Sequence, residues 1–219
     1  MVTLDIELQT LKDHLLEMMD LVNAQLHKCK TALEENNQEA ADQVVDREKR
    51  VNSLELLIDK ECEHILALHN PVATDLRFVL STLRICADLE SIGDIAKSLA
   101  KTARNHIKKE HKGMLDKFQI LKMLEICTAM LNDMREAVEK EDARLGEKMV
   151  DKDKALNEIN KEAAKTASDL IKDNTKEIEF ILKLFTVTRK LERVGDFIKN
   201  IGAELVFHIE ARVLKHKHV

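Results

Sequence analysis

An all-α fold of two tandem, pseudo-symmetric three-helix bundles is what this sequence predicts, on three observations. Apolar side chains make up 44% and charged ones 34% of the 219 residues, with one proline, five glycines and neither Trp nor Tyr, the balance of helices with polar outer faces. Apolar residues recur at alternating steps of three and four over six long stretches. The last three stretches repeat the first three.

In chain order, Leu4, Leu8, Leu11, Leu15, Met18, Val22, Leu26, Cys29 and Leu33 form one face of a first helix. After the polar run from Glu34 to Glu39, the stripe Val44, Val51, Leu54, Ile58, Cys62 and Ile65 marks a second. It stops at Asn70-Pro71, because proline disfavours helix in the residue before it. A third helix is expected from about Val72 to Lys109, a fourth from about Leu115 to Lys140, a fifth from Asp142 to about Lys172 and a sixth from about Glu177 to Leu214. Moving 105 places along the second helix takes Val44, Val51, Leu54 and Ile65 onto Met149, Leu156, Ile159 and Leu170. In the third helix an offset of 102 carries Leu89-Glu90-Ser91-Ile92-Gly93-Asp94 onto Leu191-Glu192-Arg193-Val194-Gly195-Asp196. Each half can bury its own stripe, which places the division near Gly113, with bundles at 1–112 and 113–219.

Charge and cysteine usage exclude several classes. With 35 basic and 40 acidic side chains the net charge is -5, so no global positive field draws the chain to nucleic acid or anionic lipid. The basic stretches Arg104 to Lys112 and Lys215 to His218 read as solvated helix ends. Cys29, Cys62, Cys86 and Cys127 lie far apart, each in an apolar stripe, and read as buried hydrophobes that suit a reducing compartment. The methionines, among them Met18, Met19, Met123, Met130 and Met134, read as core filler. No apolar run is long enough to span a membrane, and Met1-Val2-Thr3-Leu4-Asp5 does not resemble a signal peptide, so a cytoplasmic location is expected.

The candidate chemistry lies in carboxylate couples four residues apart that recur in register: Asp42/Asp46 with Glu147/Asp151, and Glu90/Asp94 with Glu192/Asp196. Like charges at that spacing cost a helix about 0.2–0.5 kcal/mol each, so something is expected to offset them. Asp46 and Asp94 each lie 24 residues from the turn at Asn70, which puts them at similar height on antiparallel helices. Asp151 and Asp196 lie 23 and 22 residues from Asn174. Facing couples repel unless protonated, solvated or bridged by a cation, for which hard oxygen ligands favour Mg, Ca, Mn or iron, and a solvated acidic face inherited by duplication is the alternative. Asn200, one turn beyond Asp196, adds a carbonyl in the second half, where its first-half counterpart is Ser98, so the second site is the stronger candidate. Gly93 and Gly195, each before a second carboxylate, mark either close helix packing or room for an ion.

The run Leu191-Glu192-Arg193-Val194-Gly195-Asp196, followed by Asn200-Ile201-Gly202-Ala203-Glu204, resembles the signature of the PhoU family of phosphate-uptake regulators. The segment Pro71-Val72-Ala73-Thr74-Asp75-Leu76-Arg77 is similar to that family's entry to its third helix. The first copy departs from the signature, with Ser91 for its arginine and Ser98-Leu99-Ala100 for Asn-Ile-Ala. The resemblance implies a cytoplasmic negative regulator, not an enzyme, that contacts a phosphate ABC transporter ATPase and a sensor histidine kinase and forms a homodimer. It also implies iron or zinc held by the couples Asp42/Asp46, Glu90/Asp94, Glu147/Asp151 and Glu192/Asp196.

Two alternatives stand beside it. A ferritin-like di-iron enzyme draws on the E-x-x-H at Glu61-Cys62-Glu63-His64, but that fold needs two such motifs facing the interior of a four-helix bundle, and His64 reads as a surface residue near a helix end. A metal-free helical adaptor predicts the same fold without any ion.

Overall fold

The computed structural model describes residues 3–107 and 109–214, and of Lys109, Val150 and Asp151 the backbone alone. The first half is three long helices, α1 (Leu4–Glu34), α2 (Gln38–His69) and α3 (Ala73–His106). Asn37 starts α2 by accepting the Ala40 backbone N–H at 3.0 Å, one of the donors a helix start leaves free. At the far end Asn70 takes the left-handed conformation, φ 46°, which asparagine tolerates better than most residues, and Pro71 prevents the helix from continuing.

The second half is more interrupted than its periodicity suggests. It consists of a 3₁₀ turn (Lys109–His111), α4 (Lys112–Lys117), α5 (Ile120–Lys140), α6 (Ala143–Lys152), α7 (Lys154–Asp173), a second 3₁₀ turn (Thr175–Glu177) and α8 (Ile178–Glu210). The expected fourth helix is broken where Gln119 turns left-handed at φ 53°, and the fifth is interrupted at the buried Asp153. Helix α3 ends at His106, short of Lys109, because Ile107 takes extended backbone at ψ 132° and buries its side chain. The expected solvation of the basic stretch fails at His111, which is buried and stacked on Phe180 with ring centres 3.9 Å apart. Lys215 to His218 lie outside the described residues.

Within the first half α1, α2 and α3 pack on one another, and in the second α5 and the α6–α7 pair pack on α8. One apolar core runs through both halves, which meet through α3 against α8 and α1 against α5. Hydrogen bonds fix the α3–α8 pairing as antiparallel: Arg77 Nε donates to the His208 carbonyl at 3.0 Å, Ser81 Oγ to the Glu204 carbonyl at 3.1 Å, and Lys190 Nζ to Ser98 Oγ at 2.5 Å. Ion pairs do the same for α1 and α5, with Lys12–Glu141 at 2.6 Å and Arg135–Asp20 at 2.7 Å. All four cysteines are buried and free, and burial pushes the Cys29 thiol up to about 12, so it stays protonated. The methionines at 18, 19, 123, 130 and 134 are likewise core residues.

Where α6 crosses α8 the backbones touch. A Cβ on Gly202 would sit 2.8 Å from the Gly146 carbonyl oxygen and 3.0 Å from Met134 Cε, whereas one on Gly113 would meet nothing within 4 Å. Replacing a helical glycine by alanine gains ~1 kcal/mol of helix propensity, and overpacking costs about 1–3 kcal/mol. Urea denaturation of Gly202→Ala should therefore show a net loss of stability, while Gly113→Ala should be neutral or stabilised by up to ~1 kcal/mol.

Candidate metal centres

Height along the hairpin and position around the helix are separate questions, and the structure answers them differently. The antiparallel pairing of α2 and α3 brings the level of Asp46 to that of Asp94, as the spacing from Asn70 requires. The inner stripe of α2, however, runs through Val44, Glu48 and Val51, all buried, and Asp46 lies two residues on, about 200° around the helix, exposed. The carboxylate that meets α3 is therefore Glu48. It, Glu90 and Asp94 each present an oxygen, and these oxygens lie within 4.8 Å of one another.

One cation already stands in this first cluster. Lys97 Nζ lies 3.7 Å from Glu48 Oε1 and 3.7 Å from Asp94 Oδ1, long for direct hydrogen bonds. Glu48 Oε2 is buried without a hydrogen-bond partner. Desolvation, opposed by Lys97 and reinforced by Asp94, raises the Glu48 carboxyl above the ordinary range. Burial first and Asp94 second raise Glu90, and burial with Asp59 raises Glu55 nearby. Three carboxyls shifted the same way mark a site where burial and neighbouring acidic groups disfavour the charged form.

The second half repeats the plan with a different balance. Asp153 occupies the position of Glu48 in the repeat and is 2% exposed, buried between Met149 and Leu156 on the inner stripe. Lys199, the counterpart of Lys97, is closer here: its Nζ lies 3.0 Å from Asp153 Oδ2 and 2.6 Å from Asp196 Oδ1. Asn157 donates a further hydrogen bond to Asp153 Oδ2 at 2.8 Å, while Asp153 Oδ1 is buried without one. Burial, then Asp196 and Asp153, raise the Glu192 carboxyl. A Cβ on Gly195 would lie 2.5 Å from Leu156 Cδ1 and 2.7 Å from Asp153 Oδ1, so these side-chain ends would have to shift to admit one. At Gly93 the same test finds Val51 Cγ1 at 3.3 Å and Glu48 Oε2 at 3.6 Å, a tight but bearable fit.

Of the residues expected at these centres, Glu90, Asp94, Glu192 and Asp196 are placed together with buried carboxylates. Asp42 instead pairs with Arg104 at 2.7 Å and Glu147 with Arg212, both on the surface. The Asp151 side chain lies outside the described residues, and Asn200 is half-buried one turn past Asp196. Among the described residues the first half, whose signature departs further from the family pattern, is the one that gathers three carboxylates. Glu48 and Asp153 do not stand out as repeated acidic couples, because neither has an acidic neighbour recurring in register. The legible signal was a charge interrupting an apolar stripe at equivalent places, with Lys97 and Lys199 three residues past each second aspartate.

The two halves share a groove of about 240 Å³ along α3 and α8, lined by Glu90, Asp94, Ser98, Lys190, Arg193 and Phe197 among others. The guanidinium carbon of Arg193 stands 5.6 Å from the Phe197 ring centre, within cation–π range. The E-x-x-H of α2 does not face any such interior: Glu61 pairs with His14 at 2.9 Å and His64 is exposed. No helix among the described residues is long and apolar enough to cross a membrane.

The PhoU domain family model matches residues 15–103 and again 120–205. The chain is 26% identical over 210 residues to the phosphate-specific transport system accessory protein PhoU of Escherichia coli K12, covering 96% of this chain and 86% of that relative. It superposes on the crystal structure of PhoU from Pseudomonas aeruginosa with a TM-score of 0.87 at 27% identity, covering 96% of this chain and all of the other (100%). The phosphate transport system regulatory protein PhoU from Streptococcus pneumoniae superposes with a TM-score of 0.85 at 27% identity, covering 97% and 100%. These relatives are named as accessory or regulatory proteins.

The raised Glu48 carboxyl carries a stability consequence whose sign is fixed. In the folded state it holds its proton to higher pH than in the unfolded chain, so its contribution is best below the unfolded value of about 4.3 and worsens as pH rises through the folded value. In chelator, Glu48→Gln should be more stable than the parent at neutral pH, and the two urea midpoints should converge on acidification below about pH 4.3.

Proposed function

The chain belongs to the PhoU family, and from that premise we propose that it is a negative regulator of phosphate uptake and of phosphate-starvation signalling, acting by contact with other proteins. Its two family repeats, taken as 1–112 and 113–219, form a long helical body suited to docking rather than to enclosing a substrate. The partners are the ATPase of a phosphate ABC transporter, a sensor histidine kinase and a second copy of the chain, all in the cytoplasm. The E. coli relative, named as an accessory protein of a phosphate-specific transport system, supports the first of these.

The observation that carries the metal part of the reading is the first carboxylate cluster. Glu48, Glu90 and Asp94 would hold an ion, with the buried Glu48 Oε2 as one ligand atom. An oxygen-only donor set fits iron, manganese, magnesium or calcium better than zinc. Asp153, Glu192 and Asp196 form the corresponding set in the second half, with Asn200 one turn away, but Lys199 must first leave its two close contacts. Asp42 and Glu147 remain in their arginine pairs.

A second reading is favoured by those same lysines. Lys97 and Lys199 neutralise part of each cluster, so a metal-free adaptor with an acidic docking face is physically consistent. Elemental analysis of untagged protein, purified without chelator and paired with capture of the transporter ATPase, separates the two. The regulatory reading predicts bound iron or manganese that Glu48→Gln and Glu90→Gln each lower by about 10-fold or more, together with ATPase capture. Capture without metal in any preparation would select the adaptor, and metal without capture would remove the regulatory role.

A further inference from the structure

A second kind of ligand set lies at the opposite end of α2 from the Asn37 cap. Antiparallel packing of α1 on α2 brings Glu7, in the first turn of α1, against His64 and His69 in the last turns of α2. One ligand atom from each lies within 4.8 Å of the others. The Glu7 carboxylate is 3.1 Å from His69 Nε2 through Oε2 and 3.7 Å from His64 Nε2 through Oε1. The imidazole centres are 6.4 Å apart in an edge arrangement, and both Nε2 atoms lie within 4 Å of the same carboxylate.

We propose that Glu7, His64 and His69 form a binding site for a divalent transition-metal ion of the zinc type, separate from the carboxylate clusters. Two imidazoles and one carboxylate with an open fourth position are a zinc donor set. At zinc–ligand distances of about 2.0–2.2 Å, tetrahedral geometry separates donor atoms by roughly 3.3 Å, close to the 3.1 Å between Glu7 Oε2 and His69 Nε2. A simple ion pair leaves one feature unexplained: Glu7 Oε2 is buried and makes no hydrogen bond, although an imidazole nitrogen stands next to it. A shared ion satisfies that lone pair. Access exists through a cleft of about 360 Å³ bordered by Glu7, Thr10, Lys60, Glu61, His64 and Ile65, in which the open fourth position would hold water. Bound there, the ion would clamp the start of α1 to the end of α2 beside the Asn70-Pro71 turn, a place the carboxylate clusters do not reach.

Cobalt(II) reports the site directly, because low-coordinate cobalt with imidazole ligands gives intense visible bands whereas six-coordinate oxygen-ligated cobalt gives weak ones. Titrating the full chain with cobalt(II), then displacing it with zinc, should produce and abolish an intense spectrum at one equivalent. His64→Asn combined with His69→Gln should lose the spectrum, and Glu7→Gln should weaken cobalt binding by about 10-fold or more, with helical circular dichroism unchanged. Glu48→Gln, and replacement of His216 and His218, should leave the spectrum intact. An intense spectrum that survives the double histidine change, depends on His216 and His218, or never forms in the parent overturns the proposal.

Discussion

Each half of this protein buries a carboxylate between two helices, and a buried carboxylate must be matched by positive charge or give up its own. Glu48 and Asp153 lie on stripes that are otherwise apolar, 3% and 2% exposed, so their charge is not an accident of the surface. The matching is uneven. Lys199 makes two short contacts around Asp153, while Lys97 stands 3.7 Å from both of its carboxylates. Burial, reinforced by neighbouring carboxylates, raises the carboxyls of Glu48, Glu90 and Glu55 in the first half and of Glu192 in the second. A cation added to the first site gains attraction without displacing a tightly bound lysine.

The glycines ease this geometry. At Gly195 a Cβ would crowd the ends of both Leu156 and Asp153, so the missing side chain eases the close approach of α7 to α8 beside the buried aspartate. Gly93 leaves slightly more room beside Glu48. Packing and chemistry are therefore one constraint here: the choice between close helix contact and space for an ion does not divide, because the contact is what brings the carboxylates together. The antiparallel union of α3 with α8 then sets Lys190 and Arg193 of one half beside Glu90 and Asp94 of the other in one groove.

Much of this was legible in the sequence, for physical reasons. Helical period marked the apolar stripes, and the offsets of 105 and 102 residues exposed the duplication and the couples Glu90/Asp94 and Glu192/Asp196. Helix rise gave the correct level for the partner carboxylates on α2. It does not give their azimuth: the outward Asp42 and Asp46 are conspicuous as a couple, whereas the inward Glu48 is a lone charge in a stripe. Breaks at Gln119 and Asp153 were hidden because the apolar period runs on past them, while the backbone there answers to a left-handed turn and to a buried charge. The His64–His69–Glu7 grouping joins residues 57 and more positions apart, which only the α1–α2 packing brings together.

Anomalous scattering from crystals soaked in manganese tests the central claim most directly, since it locates the ion rather than inferring it from loss of binding. A peak within about 2.0–2.6 Å of oxygens from Glu48, Glu90 and Asp94, with the Lys97 ammonium displaced, is the predicted result. A peak at Asp42 and Asp46 instead, or none while Lys97 keeps its place, would contradict it.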